Sequence, residues 1–553
     1  MASLKQIDGR TFSVLRLLGA YNAREKALLL GEMVQVEGFM PLLMKPRNRQ
    51  RWTAEDKAGL AVHLKCLSQP GPYRVVLSVP GFFMLHVLAW WLDRRRPARR
   101  GRQRADASAP TDAKAAKITT FPQLRRCLSQ RRVRPEICMA DKTLGAYNIF
   151  DLRDLALKRV PKGLFEFVDR GTEDEVSLRN NRAVFEKIRF KPRTLVDVSG
   201  RTQEITLFGQ KQKMPICIAP TGTAGLMWYE GEIALARAAK EAGIPFTLAT
   251  GSMTAMERVA AEAGGRLWFQ LYMWPDKSMS HKLVERARAA GYEALVVTVD
   301  GAVSGNREYN LRNGFTIPFT FTRKNITDVA LHPRWLLGVL ARYVMTTGMP
   351  RYENYPSEIK YRVTAAPMGR SQMKNDSLNW EDLKVLRKMW PGTLIVKGLA
   401  HPRDAIMAAD CGADGVVVSN HGGRNLDGSM APLEALPEVV DAVGRRIPVI
   451  VDGGFRRGSD VVKALALGAS AVLIGRSTLY GVAAGGYAGA TRAIDLFREE
   501  IGRVMALLGA RTVAELGPEL LHFTDSTFRR PGQGRAELKL LDTARAAAEV
   551  QAS

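Results

Sequence analysis

The sequence predicts an α/β chain folded as a (β/α)8 TIM barrel, with an extra N-terminal segment and a long loop after strand 4. Three observations lead there. Beyond Lys213, eight short β-branched runs alternate with helical stretches, the pattern of a parallel sheet built from βα units. Polar residues gather where these runs end, which is where closed barrels collect their active sites. The 553-residue length leaves room for such a barrel and for further segments beside it.

Taken in order, the predicted strands are Ile216–Ala219, Phe246–Ala249, Leu267–Leu271, Ala294–Val299, Leu394–Lys397, Gly415–Ser419, Pro448–Asp452 and Ala471–Gly475. About 80 residues separate Val299 from the helix predicted near Trp380, far more than an ordinary βα connection, and long loops in compact domains are usually functional. Within it Trp335, Leu336, Leu337, Val339, Leu340, Tyr343, Val344 and Met345 alternate with Arg334 and Arg342. That pattern suits an interfacial amphipathic helix and equally a lid helix packed on the barrel.

The barrel domain is expected over residues 118–522, with a C-terminal tail over 523–553. Residues 1–73 read as a small mixed segment of unknown function, whose stretches Arg24–Val34 and Ala54–Leu67 are moderately amphipathic. The apolar stretch at 74–92 ends in Ala89-Trp90-Trp91-Leu92 and lies at the lower limit for spanning a bilayer. Pro80, Gly81 and His86 interrupt it, so a buried core helix and a membrane-associated segment both remain open. A basic linker, 93–117, follows with Arg94, Arg95, Arg96, Arg99, Arg100, Arg102 and Arg104. Paired tryptophans beside arginines favour the cytoplasmic side of a membrane interface.

A hydrophobic content of 46% and a charged content of 25% are those of a globular protein. The net charge of +26 calls for an anionic partner, and its concentration after the apolar stretch favours a membrane surface. Nucleic acid is not expected, because zinc spacing, a helix-turn-helix pattern and an aromatic-basic RNA signature are all missing; no metal site is expected either. Five scattered cysteines, Cys66, Cys127, Cys138, Cys217 and Cys411, argue against a disulfide framework. With no secretory signal in Met1–Leu30, the expected setting is cytoplasmic, at the inner face of the membrane.

The polar residues at the strand ends are Thr221, then Gln270 and Tyr272, Thr298 and Asp300, Lys397, Ser419 with His421 and Arg424, Asp452 with Arg456, and Gly475-Arg476. Among them, Ser419-Asn420-His421-Gly422-Gly423-Arg424-Asn425-Leu426-Asp427-Gly428 places imidazole and guanidinium three residues apart beside two glycines. This segment resembles the active-site signature of the FMN-dependent 2-hydroxy acid dehydrogenase and oxidase family. The resemblance runs from about Tyr147 to Leu521 and includes Gly171-Thr172-Glu173-Asp174-Glu175, Ile218-Ala219-Pro220-Thr221-Gly222, Gln270-Leu271-Tyr272, Val396-Lys397-Gly398 and Asp452-Gly453-Gly454-Phe455-Arg456-Arg457-Gly458.

The resemblance implies FMN-dependent oxidation of an (S)-2-hydroxy acid to the 2-oxo acid. In that reading His421 is the general base, Asp300 its carboxylate partner, and Arg424 and Arg307 hold the substrate carboxylate. Tyr272 contacts the substrate. Pro220, Thr221 and Gly222, with Gln270, Thr298 and Ser419, surround the flavin ring, and Lys397 lies near its N1 edge. Asp452 is a further cofactor-binding residue, and Gly453, Gly454, Arg456, Gly475 and Arg476 cradle the ribityl phosphate after strands 7 and 8. The family also suggests a homotetramer. A quinone or other membrane carrier is the expected electron acceptor, since the anchor would bring the flavin near that pool and Gly222 stands where oxygen-using relatives often carry alanine.

Two departures from the family pattern bear on the substrate. Phe167 occupies the place of a substrate-binding tyrosine, which removes one hydroxyl contact. Ala249 and Gly251 are smaller than the serine and bulky residue relatives often carry, so a medium or large hydroxy acid, lactate-like or mandelate-like, is expected. The competing readings are another phosphate-binding barrel enzyme and a membrane-tethered flavin module with impaired catalysis.

Overall fold

The computed structural model describes residues 145–315, 322–356, 360, 376–525 and 528–532. The chain divides after Ile137 into two units, and every described residue belongs to the second. The N-terminal segment, the apolar stretch 74–92, the linker 93–117 and most of the C-terminal tail lie outside the described residues.

Eight parallel strands close into a barrel. They are β1 Ile216–Ile218, β2 Phe246–Ala249, β3 Leu267–Leu271, β4 Ala294–Thr298, β5 Thr393–Leu399, β6 Gly415–Val418, β7 Val449–Val451 and β8 Ala471–Ile474. Each lies within two residues of a predicted run. The runs are continuously apolar because helices cover their outer faces while side chains fill the inside, so neither face meets water. Cys217, Trp268, Ala294, Val296, Ile395, Val417, Ile450 and Leu473 belong to the buried core cluster. A hairpin of Ile205–Leu207 with Gln210–Gln212 packs on the same cluster, and its Phe208 meets Trp268 edge-on at 5.8 Å. Chemistry is therefore left to the opposite mouth, at the strands' C-terminal ends.

Among the described residues, three α-helices precede the barrel: Ile149–Arg159, Lys162–Asp169 and Val176–Ala183. The first begins at Asn148, whose side chain accepts from the N–H groups of Phe150 and Asp151, a standard N-cap. The other two carry Phe167, Val168 and Asn181 to the loops that follow β4 and β6, as described below.

The long connection after β4 contains helices Glu308–Arg312, Arg323–Leu331 and a run from Pro333 to Thr346 whose middle turn, Leu336–Leu340, is a wider π-turn. Of the two readings of this run, the buried side supports the lid helix. Trp335, Leu336, Val339 and Tyr343 are buried, Trp335 Nε1 donates to Leu226 O at 2.6 Å, and the Tyr343 hydroxyl accepts from Glu230 N–H. The outer side leaves Val344 45% and Met345 60% exposed. The chain then returns over the end of β2, where Glu353 N–H donates to Ser252 O and the Asn354 carboxamide bonds Met256 N–H and Thr254 O.

If Trp335 anchors this lid, Trp335→Ala should cost about 3–5 kcal/mol of local stability. Amide hydrogen exchange over residues 333–346 should accelerate while the barrel strands stay protected; unchanged protection would contradict the anchoring role.

Candidate active site

Barrel order places β5 between β4 and β6, so the loops after β4 and β6 face each other across β5. His421 Nδ1 meets Asp300 Oδ1 at 2.8 Å, and His421 Nε2 lies 3.3 Å from the Tyr272 hydroxyl. Carboxylate on Nδ1 fixes the tautomer that leaves the Nε2 lone pair free to accept a proton. Burial opposes ionisation of Asp300, but the neighbouring His421 outweighs it and holds the carboxyl below its ordinary range. Burial, then the Asp300 charge, push the Tyr272 phenol above its usual value, so it stays protonated and able to donate.

The backbone at the imidazole is unusual. His421 has φ +57° and Gly422 φ +66°, and Gly423 N–H donates back to Asn420 O at 3.0 Å. Two consecutive left-handed residues inside an i to i+3 bond are the mark of a mirror-image turn, in which a glycine serves well at the second position. A left-handed histidine costs on the order of 1–3 kcal/mol and tends to be kept where a site requires it.

Lys397, on β5, is buried beneath this pair. Its ammonium donates to Ser419 Oγ at 2.9 Å and pairs with Asp452 Oδ2 at 2.9 Å. Burial disfavours its charge, yet Asp452 and Asp300 reverse the balance and hold the ammonium above its ordinary range. Ser419 Oγ in turn accepts from His421 N–H at 3.0 Å.

The arginines gather on the other side of the imidazole. Arg424 Nη1 donates to Arg170 O at 3.0 Å, and its guanidinium stands 5.2 Å over the Phe167 ring. The hydroxyl contact absent at Phe167 is thus accompanied by a cation–π contact to the arginine itself. Arg307 donates to Arg424 O at 3.1 Å and to Asn425 Oδ1 at 3.2 Å, while Asn425 Nδ2 donates to Asp300 O at 2.8 Å. Asn425 therefore ties Arg307 to the main chain of Asp300, a role that nothing in the sequence reading assigned to it. Burial, then the nearby Arg307 charge, push Arg424 down to about 10, and burial also lowers Arg307.

Arg476, expected in the phosphate cradle, is held by main-chain carbonyls. Its guanidinium donates to Val168 O at 2.7 Å, Gly422 O at 2.8 Å and Arg170 O at 3.0 Å. It joins the C-terminal end of helix Lys162–Asp169, where main-chain carbonyls attract cations, to the turn that carries His421. Burial, then the Arg424 charge, push Arg476 down to about 10. Arg456 donates to Phe455 O and stands 5.5 Å over the Tyr480 ring. Gly453 and Gly454 follow β7, and Gly475 opens the helix Arg476–Leu508, a terminus suited to phosphate.

Whether these residues fit FMN is tested by their own unmet bonds. Thr221 Oγ1, Gln270 Nε2, Thr298 Oγ1, Asp300 Oδ2 and Asp452 Oδ1 are buried without a hydrogen-bond partner among the described residues. Such groups are rare and costly unless a ligand completes them. They stand at the ends of β1, β3, β4 and β7, around the mouth where a polar-edged ring would lie, so the set fits. Pro220 and Gly222 flank Thr221 on the same loop.

Comparison with known proteins agrees with this geometry. Residues 156–523 match the family described as FMN-dependent dehydrogenase. The chain is 44% identical over 385 residues to (S)-mandelate dehydrogenase of Pseudomonas putida, covering 70% of this chain and 96% of that protein. It is 40% identical over 380 residues to L-lactate oxidase of Nostoc sp., covering 68% and 98%. The crystal structure of the monotopic membrane protein (S)-mandelate dehydrogenase superposes with a TM-score of 0.65 at 44% identity, covering 68% of this chain and 99% of that one. The chain belongs to the FMN-dependent 2-hydroxy acid dehydrogenase and oxidase family. It is an FMN-dependent 2-hydroxy acid dehydrogenase, with FMN as its cofactor.

Two predictions follow from the pairings. Asp300→Asn should keep FMN bound yet slow flavin reduction by substrate roughly 10²–10⁴-fold, the range for losing assisted general-base catalysis, as read by anaerobic stopped flow. Because the Arg424 charge is present below its lowered value and lost above it, kcat/KM should fall as pH rises through about 10. A profile that stays flat to pH about 11 would remove Arg424 from carboxylate capture.

Proposed function

We propose that the protein oxidises an (S)-2-hydroxy acid of medium or large side chain, lactate-like or mandelate-like, to the 2-oxo acid. The observation that carries this is the Asp300–His421 pair lying beside Arg307, Arg424 and Tyr272 at the barrel mouth. Arg307 and Arg424 take the substrate carboxylate, for which the planar guanidinium fork is suited. Tyr272 donates to the substrate oxygen, and His421 Nε2 accepts the hydroxyl proton while Asp300 stabilises the imidazolium that results. When bound, FMN supplies the two-electron sink. Thr221, Gln270, Thr298 and Ser419 would hold its ring and Lys397 its N1 edge, while Gly453, Gly454, Arg456 and Gly475 would serve the phosphate. Asp452 would hold Lys397 in place.

Side-chain preference follows from space at β2. A Cβ built on Gly251 would meet only Tyr352 Cε1, at 3.9 Å. Tyr352 stacks on Tyr355 at 4.8 Å, which meets Trp274 edge-on at 5.4 Å, an aromatic border congenial to an aryl group.

We place the electrons' destination in a quinone or another membrane carrier, and the protein, as a homotetramer, at the inner face of the membrane. Supporting this, the segment 323–346 exposes Ile326 (52%), Leu331 (73%), Val344 and Met345 beside exposed Arg323, Lys324 and Arg334. Apolar side chains rimmed by cations suit an anionic lipid surface. No helix among the described residues is long and apolar enough to cross a membrane.

Anaerobic mixing with a panel of 2-hydroxy acids should bleach the flavin band, with mandelate-sized substrates faster than glycolate. Bleaching by none would leave a flavin module with impaired catalysis, and stoichiometric peroxide in air would overturn the carrier assignment. Gly251→Leu should lower kcat/KM for mandelate relative to lactate by roughly 10-fold or more.

A further inference from the structure

We propose that Asn181 is a positioning residue for His421, acting through the side chain of Asn420 to hold the imidazole in its left-handed turn. This rests on the oxidation proposed above. The two carboxamides face each other and are buried: Asn181 Nδ2 donates to Asn420 Oδ1 at 2.9 Å, and Asn420 Nδ2 donates to Asn181 Oδ1 at 2.8 Å. Asn420 spends its remaining capacity inside its own loop. Its Oδ1 also accepts from Gly423 N–H at 3.1 Å, and its Nδ2 also donates to Met430 O at 3.2 Å. One carboxamide therefore spans the His421–Gly422 turn, closes the loop behind it, and has its plane set by Asn181.

The helix that carries Asn181, Val176–Ala183, is itself fastened to this loop. The Asp427 carboxylate accepts the N–H groups of Val176 at 3.1 Å and Ser177 at 2.8 Å, and Thr172 N–H donates to Gly423 O at 3.0 Å. A Cβ on Gly423 would lie 2.7 Å from Leu178 N, so helix and turn are in direct contact. A strained turn persists only where its surroundings over-determine it. Removing the Asn181 carboxamide leaves Asn420 with one N–H and one lone pair unmet in a buried place, its plane held only by Gly423 N–H and Met430 O, and the turn less restrained against relaxing away from Asp300.

The test uses the full-length holoenzyme. Asn181→Ala should keep FMN and leave KM within about 3-fold, while the rate of flavin reduction falls about 10–100-fold, the consequence of a base displaced by a fraction of an ångström to one ångström. The ¹⁵N NMR resonance of the His421 Nδ1–H should be sharp in the wild type, where Asp300 holds it at 2.8 Å, and broad in the variant. Asn181→Asp keeps the volume and one acceptor but sets an oxygen against Asn420 Oδ1, and should show the same two effects. It decides the matter if the alanine variant folds poorly. Unchanged reduction rates, or loss only in proportion to lost FMN with the His421 resonance intact, would overturn the proposal. A wild type inert toward every hydroxy acid would instead refute the oxidation, while the NMR comparison would still report on positioning.

Discussion

The bond between Asp300 and His421 joins the loops after β4 and β6, two strands that do not touch. β5 lies between β4 and β6, and the carboxylate must pass over its end to reach the imidazole. Gly398 makes the crossing possible: a Cβ there would fall 2.6 Å from Asp300 Cβ, and its φ of +109° is one that side-chain-bearing residues rarely adopt. The residue before it, Lys397, points its ammonium to Ser419 and Asp452. A single short stretch of β5 thus clears the path for the Asp300 carboxylate and supplies a buried cation below it.

That crossing is embedded in an excess of positive charge. Arg307, Arg424, Arg476 and Lys397 converge on a mouth whose buried carboxylates are Asp300 and Asp452, and neither carboxylate pairs with an arginine. Main-chain carbonyls take that place: Val168 and Arg170 each accept from both Arg424 and Arg476. Carbonyl dipoles hold a guanidinium without cancelling its charge, so the field remains available to incoming anions. Burial first, and this excess of positive charge second, lower Arg424 and Arg476, and a bound carboxylate or phosphate would offset both.

Strands were legible because burial on two faces leaves a continuous β-branched run, as in Ala294–Thr298. The site residues were legible because the barrel obliges them to follow those runs directly, and His421, Asp300 and Tyr272 do meet. Less legible was everything that depends on pairing across long chain separations. Asn425 and Asp427 sit inside the signature segment, yet their partners, Arg307, Val176 and Ser177, lie more than a hundred residues away. Arg476 carries the signal of a phosphate ligand in its Gly-Arg context, and only the three-dimensional path of Val168–Arg170 reveals what its side chain binds. The run from Pro333 to Thr346 had two plausible faces, and periodicity alone cannot say which one meets protein.

The segments before the barrel hold the left-handed turn at His421 from its far side. A loop following a strand has one fixed end, and positive φ angles at His421, Gly422 and Gly423 would relax if the other end were free. Helix Lys162–Asp169 holds the turn through Arg476, which bonds Gly422 O, and helix Val176–Ala183 holds it through Asn420 and Asp427. The stretch between those helices bonds Gly423 and Asn306 through Thr172, so the loops after β4 and β6 share one bracket. Because the bracket lies outside the eight βα units, the barrel can set the distances between strands while the preceding segment holds the turn that carries His421.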